Sequence, residues 1–196
     1  MSIKIVEAFE KVDRRDFVLS EYADYAYEDI PLPIGYNQTI SQPSTVAFMF
    51  ELLEPTEGLK VLDVGSGSGW TTALLAQIVG ESGVVVGIEV IPELVNFGRS
   101  NIAKYCNRPS VNIFPAAETF GYPLKSPYDR ILVSASSDEI PLELIKQLKV
   151  GGIMVIPIKN SLYKVSKKSD NLNDISTEEY PGFVFVPLKR LAQRPG

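Results

Sequence analysis

Three glycines at alternate positions, Gly65, Gly67 and Gly69, lie between an apolar run and a helical one in the stretch VLDVGSGSGW. Glycines at such a strand-to-helix turn let the backbone bend sharply and approach a ligand closely. The helix that begins near Gly69 turns its free N–H groups into the same crevice. Two acids flank the turn. Asp63 falls near the carboxyl end of the preceding strand, where open α/β sheets bind ligands. Glu89 ends the next strand, twenty residues beyond Gly69, and a carboxylate there can accept both hydroxyls of a ribose. The spacing is G-x-G-x-G, and Trp70 stands where a dinucleotide fingerprint has its third small residue. Two carboxylates would repel a diphosphate. The set therefore suits a nucleoside with a cationic or amino-acid tail better than one carrying phosphates.

Composition removes other chemistry. There is no histidine and one cysteine, Cys106. This excludes an internal disulfide and any Ser-His or Cys-His nucleophile, and it argues against a zinc site or any other metal centre. A lone cysteine fits a reducing cytoplasm. The net charge of −5 argues against a nucleic-acid partner. The short basic pieces Arg14-Arg15 and Lys167-Lys168 read as solvated surface. No apolar run approaches the roughly 20 residues of a membrane span, and the start of the chain does not read as a signal peptide.

The elements that must position these residues follow from periodicity. Ile3 to about Val12 reads as an amphipathic helix, and Ser44 as the N-cap of a second one reaching Leu53. From Leu59 on, apolar runs (LKVLDVG, GVVVGIE, SVNIF, YDRILVSAS, GGIMVIPI) alternate with helical segments. That pattern predicts βαβ units and a parallel sheet covered on both faces. SLYKVSKKS and GFVFVPL read as two further strands joined by a mobile polar connection. The fold class is α/β: a doubly wound, mostly parallel, seven-stranded Rossmann-like sheet with an N-terminal helical extension. One domain is expected over 1–196, with the extension and a loop at 1–57, the glycine-turn core at 58–158 and the last strands at 159–196. Before the core lies PLPIGYNQTISQP, whose prolines and glycine read as irregular structure around a polar centre of Asn37, Gln38, Thr39 and Ser41.

The segments VDRRDFV, AYEDIPLPIGYNQTISQPSTVAFMFELL, VLDVGSGSGW, SPYDRILVSASSDEIPLELIKQLKVGGIMVIPI and FVFVPL together resemble a protein-L-isoaspartate O-methyltransferase, within the class I S-adenosylmethionine-dependent methyltransferases. The P-I-G-x-x-Q-T-I-S-x-P loop carries most of the likeness. The resemblance implies transfer of a methyl group from S-adenosylmethionine to the free carboxylate of L-isoaspartyl residues in damaged proteins or peptides, leaving S-adenosylhomocysteine. It implies that Ser41 is the active-site residue. It also implies cofactor contacts from Gln38, Thr39, Ile40, Ser41, Asp63, Gly65, Ser66, Gly67, Gly69, Glu89, Val90, Ala117 and Glu118. Pro33, Ile34 and Gly35, with Val186 and Pro187, would form the substrate wall. A monomer is expected.

Two points stay open at this level. Where the family has a G-D-G motif after the third strand, this chain has Ala116, Ala117 and Glu118. Glu118 could replace the aspartate through a shifted loop, or backbone near Ala117 could serve. That departure leaves room for another carboxylate substrate, or for a module that binds S-adenosylmethionine without catalysis. Ser41, lacking any base, suits positioning rather than nucleophilic attack; the competing assignment is a turn residue bonding its own backbone.

Overall fold

The computed structural model describes residues 2–190. Helix α1 (Ile3–Lys11) buries Ile5 and Ala8 and takes its N-cap from the Ser2 hydroxyl. Two 3₁₀ turns, Arg14–Phe17 and Ser20–Tyr25, follow. They lead to a short antiparallel pair, β1 (Leu32–Gly35) and β2 (Gln38–Ile40), and to α2 (Pro43–Leu53). The alternating unit is β3 (Lys60–Val64), α3 (Trp70–Val79), β4 (Val84–Glu89), α4 (Pro92–Ile102), β5 (Val111–Pro115), β6 (Tyr128–Val133), α5 (Leu142–Gln147) and β7 (Leu148–Ile158). Strands β8 (Ser161–Lys167) and β9 (Ile175–Pro181) complete it.

The seven-stranded sheet runs β5-β4-β3-β6-β7-β8-β9. The first five of these strands are parallel, and β8 is antiparallel to both neighbours. The order reverses between β3 and β6, which places a crevice at their carboxyl ends. Successive strand residues face opposite sides. Val61, Val85, Ile113 and Leu132 pack beneath α1 to α4. Leu62, Val86, Ile131 and Met154 pack on the other face against Leu144 and Ile145 of α5.

Four expectations need correction. The proline-rich loop is a hairpin. Leu32 pairs with Ile40 and Gly35 with Gln38, and Tyr36 and Asn37 close it at φ of 53° and 56°. Positive φ at both central residues gives the primed turn whose twist matches two short strands. Pro33 is exposed on this small sheet, where its missing N–H costs little.

The last strand is Ile175–Pro181, not GFVFVPL. It is an edge strand with mostly exposed side chains, so its burial pattern gives no apolar signal. GFVFVPL instead crosses the carboxyl end of the sheet, held by Ser136 N–H to the Val186 carbonyl and Leu188 N–H to the Ser136 carbonyl, both 2.7 Å. Ser44 is not the cap of α2. Pro43 opens that helix, and the carboxylate of Asp29 accepts from Ser44 N–H at 2.8 Å and from the Gln42 amide at 2.9 Å. Finally, Arg14 and Lys167 are 4% and 5% exposed. Lys167 donates to the Leu148 carbonyl at 2.9 Å, and Arg14 donates to four carbonyls on either side of the hairpin.

Candidate active site

The glycine turn is stapled to β4. Gly65 and Ser66 N–H groups donate to the Ile88 carbonyl at 2.9 and 3.0 Å, and the Ser66 hydroxyl donates to the Asp63 and Ile88 carbonyls, each at 3.2 Å. Close approach adds to the backbone requirement at two of the glycines, most at Gly69. A methyl on Gly67 would stand 3.1 Å from Ile34 of the hairpin, and one on Gly69 would stand 2.9 Å from the Gly98 carbonyl of α4.

The two acids have different settings. Glu89 is 6% exposed. One of its oxygens accepts from Val90 and Ile91 N–H groups at 2.8 and 3.0 Å, and the other from Gly67 N–H at 2.9 Å. A carboxylate offers about four acceptor positions, so one remains for a hydroxyl arriving from the cavity. Asp63 has no exposed surface. One oxygen accepts from the Thr71 and Thr72 hydroxyls at 2.7 and 2.6 Å, and among the described residues the other has no partner. Burial pushes its carboxyl up to about 6, and the charge of Glu89 adds to this while the threonine hydroxyls oppose it.

A cavity of about 310 Å³ opens at the carboxyl ends of β3, β4, β5 and β6. Its wall contains Ile34, Gln38 and Thr39 from the hairpin, Gly65, Gly67, Glu89 and Val90 from the sheet side, Ala117, and Val186 and Pro187 from the crossing segment. A second cavity of about 30 Å³ adjoins it and is lined by Ile40, Ser41, Ser66 and Trp70. Ile34, Thr39, Gly65, Gly67 and Ser134 border both. The smaller space holds about one water or one small functional group.

Five expected contacts lie outside both walls. Asp63 sits beneath the turn. Gly69 is spent on the approach of α3 to α4. Pro33 and Gly35 shape the hairpin, with Gly35 at a φ of 88°. Glu118 is exposed and is not in the cavity wall, where Ala117 and Thr119 stand on either side of it. Asp129, at the start of β6, is at the opposite end of the sheet, where it accepts from Lys60 N–H and Lys149.

Other wall residues were not anticipated. Ser134 and Ala135 follow β6 at the switch point, and the rule that ligands bind at strand carboxyl ends marks them. Tyr36, Ile91, Phe120, Lys189 and Arg190 also line the cavity but carry no sequence signal for it. Among the described residues, the hydroxyls of Thr39, Ser41 and Ser134 have no hydrogen-bond partner, while the Ser41 carbonyl accepts from Arg14 at 3.1 Å. Ser41 is therefore not a turn residue bonding its own backbone. Among the same residues no cluster of three His, Cys, Asp or Glu is arranged to hold a metal ion.

This sheet order, with a glycine turn after β3 and a cavity-lining acid at the end of β4, defines a class I S-adenosylmethionine-dependent methyltransferase. The family model described as protein-L-isoaspartate(D-aspartate) O-methyltransferase matches residues 1–193. The chain is 45% identical over 191 residues to the protein-L-isoaspartate O-methyltransferase of Methanopyrus kandleri, covering 95% of this chain and 84% of that one. It is 46% identical over 190 residues to that of Methanothrix thermoacetophila, covering 96% and 89%. A solved structure of a protein-L-isoaspartate O-methyltransferase superposes with a TM-score of 0.86 at 29% identity, over 95% of this chain and 61% of that chain. A Plasmodium falciparum structure described as such a methyltransferase, in complex with S-adenosyl-L-homocysteine, gives 0.80 at 27%, over 96% and 91%. The chain belongs to the protein-L-isoaspartate(D-aspartate) O-methyltransferase family.

Proposed function

We propose that this chain transfers a methyl group from S-adenosylmethionine to the free carboxylate of L-isoaspartyl residues in proteins or peptides, the step that opens their repair. The observation that carries this reading is the hairpin. It sets two hydroxyls with no partner among the described residues beside the glycine turn, Thr39 where the two cavities meet and Ser41 in the smaller one.

The cavity fits the cofactor. Its volume of about 310 Å³ lies within the range of small-molecule sites. Glu89 has an acceptor position for the ribose. Ile91, Ala117 and Phe120 offer an apolar wall for the base, and the backbone of Gly65 to Gly67 borders the amino-acid end. When bound, S-adenosylmethionine supplies an electrophilic sulfonium methyl, and S-adenosylhomocysteine remains.

The protein's own part is to bind and align. A carboxylate with a pKa near 4 is ionised at neutral pH, so no base is needed and the absence of histidine has no cost. Taking that charge out of water requires donors. Ser41, Thr39 and Ser134 present hydroxyls around the smaller cavity, and Ser41 holds an acceptor oxygen in place without reacting itself. Alignment at about 3–3.5 Å is the main requirement. Ile34, Val186 and Pro187 provide an apolar flank for the peptide.

The reading extends to one methyltransferase domain acting as a monomer in the cytoplasm, without nucleic acid. The acidic balance and single cysteine support it. Among the described residues no helix is long and apolar enough to cross a membrane. An isoaspartyl peptide and its normal aspartyl twin, each incubated with labelled S-adenosylmethionine, test the function. Label on the isoaspartyl peptide alone is expected; label only on the aspartyl twin, or on neither, refutes it.

A further inference from the structure

The four carbonyls that Arg14 binds come from one segment of chain and from none of the sheet strands. One terminal nitrogen donates to Ala26 at 2.7 Å and Glu28 at 3.3 Å; the other donates to Ile30 at 2.9 Å and Ser41 at 3.1 Å. All four acceptors are outside the regular elements. The guanidinium carbon lies 5.2 Å from the centre of the Trp70 ring, and Trp70 is the first residue of α3, directly after Gly69. Trp70 and Ser41 line the same small cavity.

We propose that Arg14 is a positioning residue for methyl transfer: it fixes the chain from Ala26 to Ser41 against the start of α3 and so sets where the Ser41 hydroxyl stands relative to the glycine turn. The inference rests on the methyltransferase reading above. A guanidinium suits the task because its planar fork offers five N–H donors and a face that stacks on an aromatic ring. Four of the five are used here, and among the described residues Nε has no partner. Lysine has three donors and no plane. Burial lowers the Arg14 pKa to about 10, opposed by the charge of Asp29, so the group stays cationic at neutral pH. Asp29 braces the other side of Ser41, through the Gln42 amide and Ser44 N–H. Release of this clamp frees the hairpin but leaves Glu89 and the glycine turn on the sheet. Catalytic alignment is then lost, while cofactor binding, which the hairpin lines on one side only, is largely kept.

The test compares Arg14→Lys with Arg15→Gln, a control whose side chain is exposed and bonds at the surface to Asp24 and to the Ala23 carbonyl. Turnover of a synthetic isoaspartyl peptide is measured beside calorimetric binding of S-adenosylhomocysteine. For Arg14→Lys, kcat falls at least ~10-fold, since ångström misplacement costs up to about 100-fold. Its dissociation constant for S-adenosylhomocysteine stays within about 3-fold, a split that general loss of structure does not give. Arg15→Gln stays within about 2-fold on both measures, as expected of an exposed pair. A kcat for Arg14→Lys within 2-fold of the parent (~0.4 kcal/mol,), or a loss of cofactor affinity equal to the loss of kcat, overturns the role. Should Arg14→Lys fail to fold, the parent protein decides by NMR. Separate, slowly exchanging Arg14 Hη signals are expected, and one averaged signal refutes the clamp. A parent chain inactive on the isoaspartyl peptide overturns the function and this role together. An active parent with an unimpaired Arg14→Lys overturns the role alone.

Discussion

Ser41 and Glu89 divide the work at the scale of single residues. Among the described residues the Ser41 hydroxyl has no partner, and Ser41 borders the small cavity. Its removal therefore strands no internal group, and the expected cost is confined to the bound carboxylate. A hydrogen bond to a charged group contributes about 1.5–3 kcal/mol. Ser41→Ala is thus expected to lower kcat/KM for the isoaspartyl peptide about 10- to 100-fold with cofactor affinity unchanged; steady-state kinetics and calorimetry check both halves. Glu89 differs because three backbone N–H groups already depend on it. Glutamine would turn an NH₂ group toward at least one of those donors. Glu89→Gln is expected to weaken S-adenosylhomocysteine binding about 10- to 100-fold and also to lower the melting temperature, which Ser41→Ala does not. The place of Glu89 at the cavity was legible in the sequence because strand and spacing set it. Arg14 was not. A basic pair beside acids reads as surface, and its burial comes from carbonyls 12 to 27 residues away that no local pattern links to it.

Two elements, the hairpin and α3, hold the site from opposite sides. Gly35 and Gly69 both have positive φ, at 88° and 90°, yet alanine meets different surroundings. Nothing lies within 4 Å of a methyl on Gly35, whereas one on Gly69 stands 2.9 Å from the Gly98 carbonyl. Gly35→Ala is expected to cost only the torsional strain of about 1–2 kcal/mol. Gly69→Ala is expected to cost more and to push α3 from α4, lowering cofactor binding; urea melts of the two variants give the comparison. At the start of α3, Asp63 holds Thr71 and Thr72. Its folded pKa of about 6 lies above the unfolded value near 3.9. The folded state therefore keeps the proton longer, and the contribution of this group to stability falls as pH rises from about 4 to 6. Relative to Asp63→Asn, the parent is expected to lose on the order of 3 kcal/mol across that window, read by denaturant melts at each pH. A flat difference would show that Asp63 ionises normally. The α/β alternation was legible because buried parallel strands are apolar throughout. The hairpin and β9 were not, since prolines mask the first and exposed edge residues mask the second.

The cavity is a property of the whole molecule, because no contiguous piece of chain encloses it. Ile34 and Thr39 come from the extension, Gly67 and Glu89 from the core, Ser134 from the far side of the switch point, and Val186 to Arg190 from the crossing segment. That last segment is tied to Ser136, and Arg190 stacks over Phe120 at 4.1 Å while pairing with Glu143 at 3.0 Å. The doubly wound parallel sheet could be expected from the motif sequence, and the likeness put Val186 and Pro187 at the site, but that they reach it on a segment crossing the sheet rather than on a strand could not be expected. FVFVPL has the composition of a strand, and only the position of β9 leaves it free to cover the crevice. A site built from such distant parts exists only in the folded state, so a ligand for it stabilises folding by mass action. At 100 times its dissociation constant, S-adenosylhomocysteine adds about 2.7 kcal/mol, which for a chain of 196 residues raises the melting temperature by about 5–10 °C. A dinucleotide at the same concentration is expected to give no shift, because its diphosphate would face Glu89 with Asp63 beneath it. Thermal melts with each ligand decide the matter. A shift with the dinucleotide and none with S-adenosylhomocysteine would refute the assignment of the cavity, whereas the reverse ties the glycine turn, the hairpin and the crossing segment to one bound nucleoside.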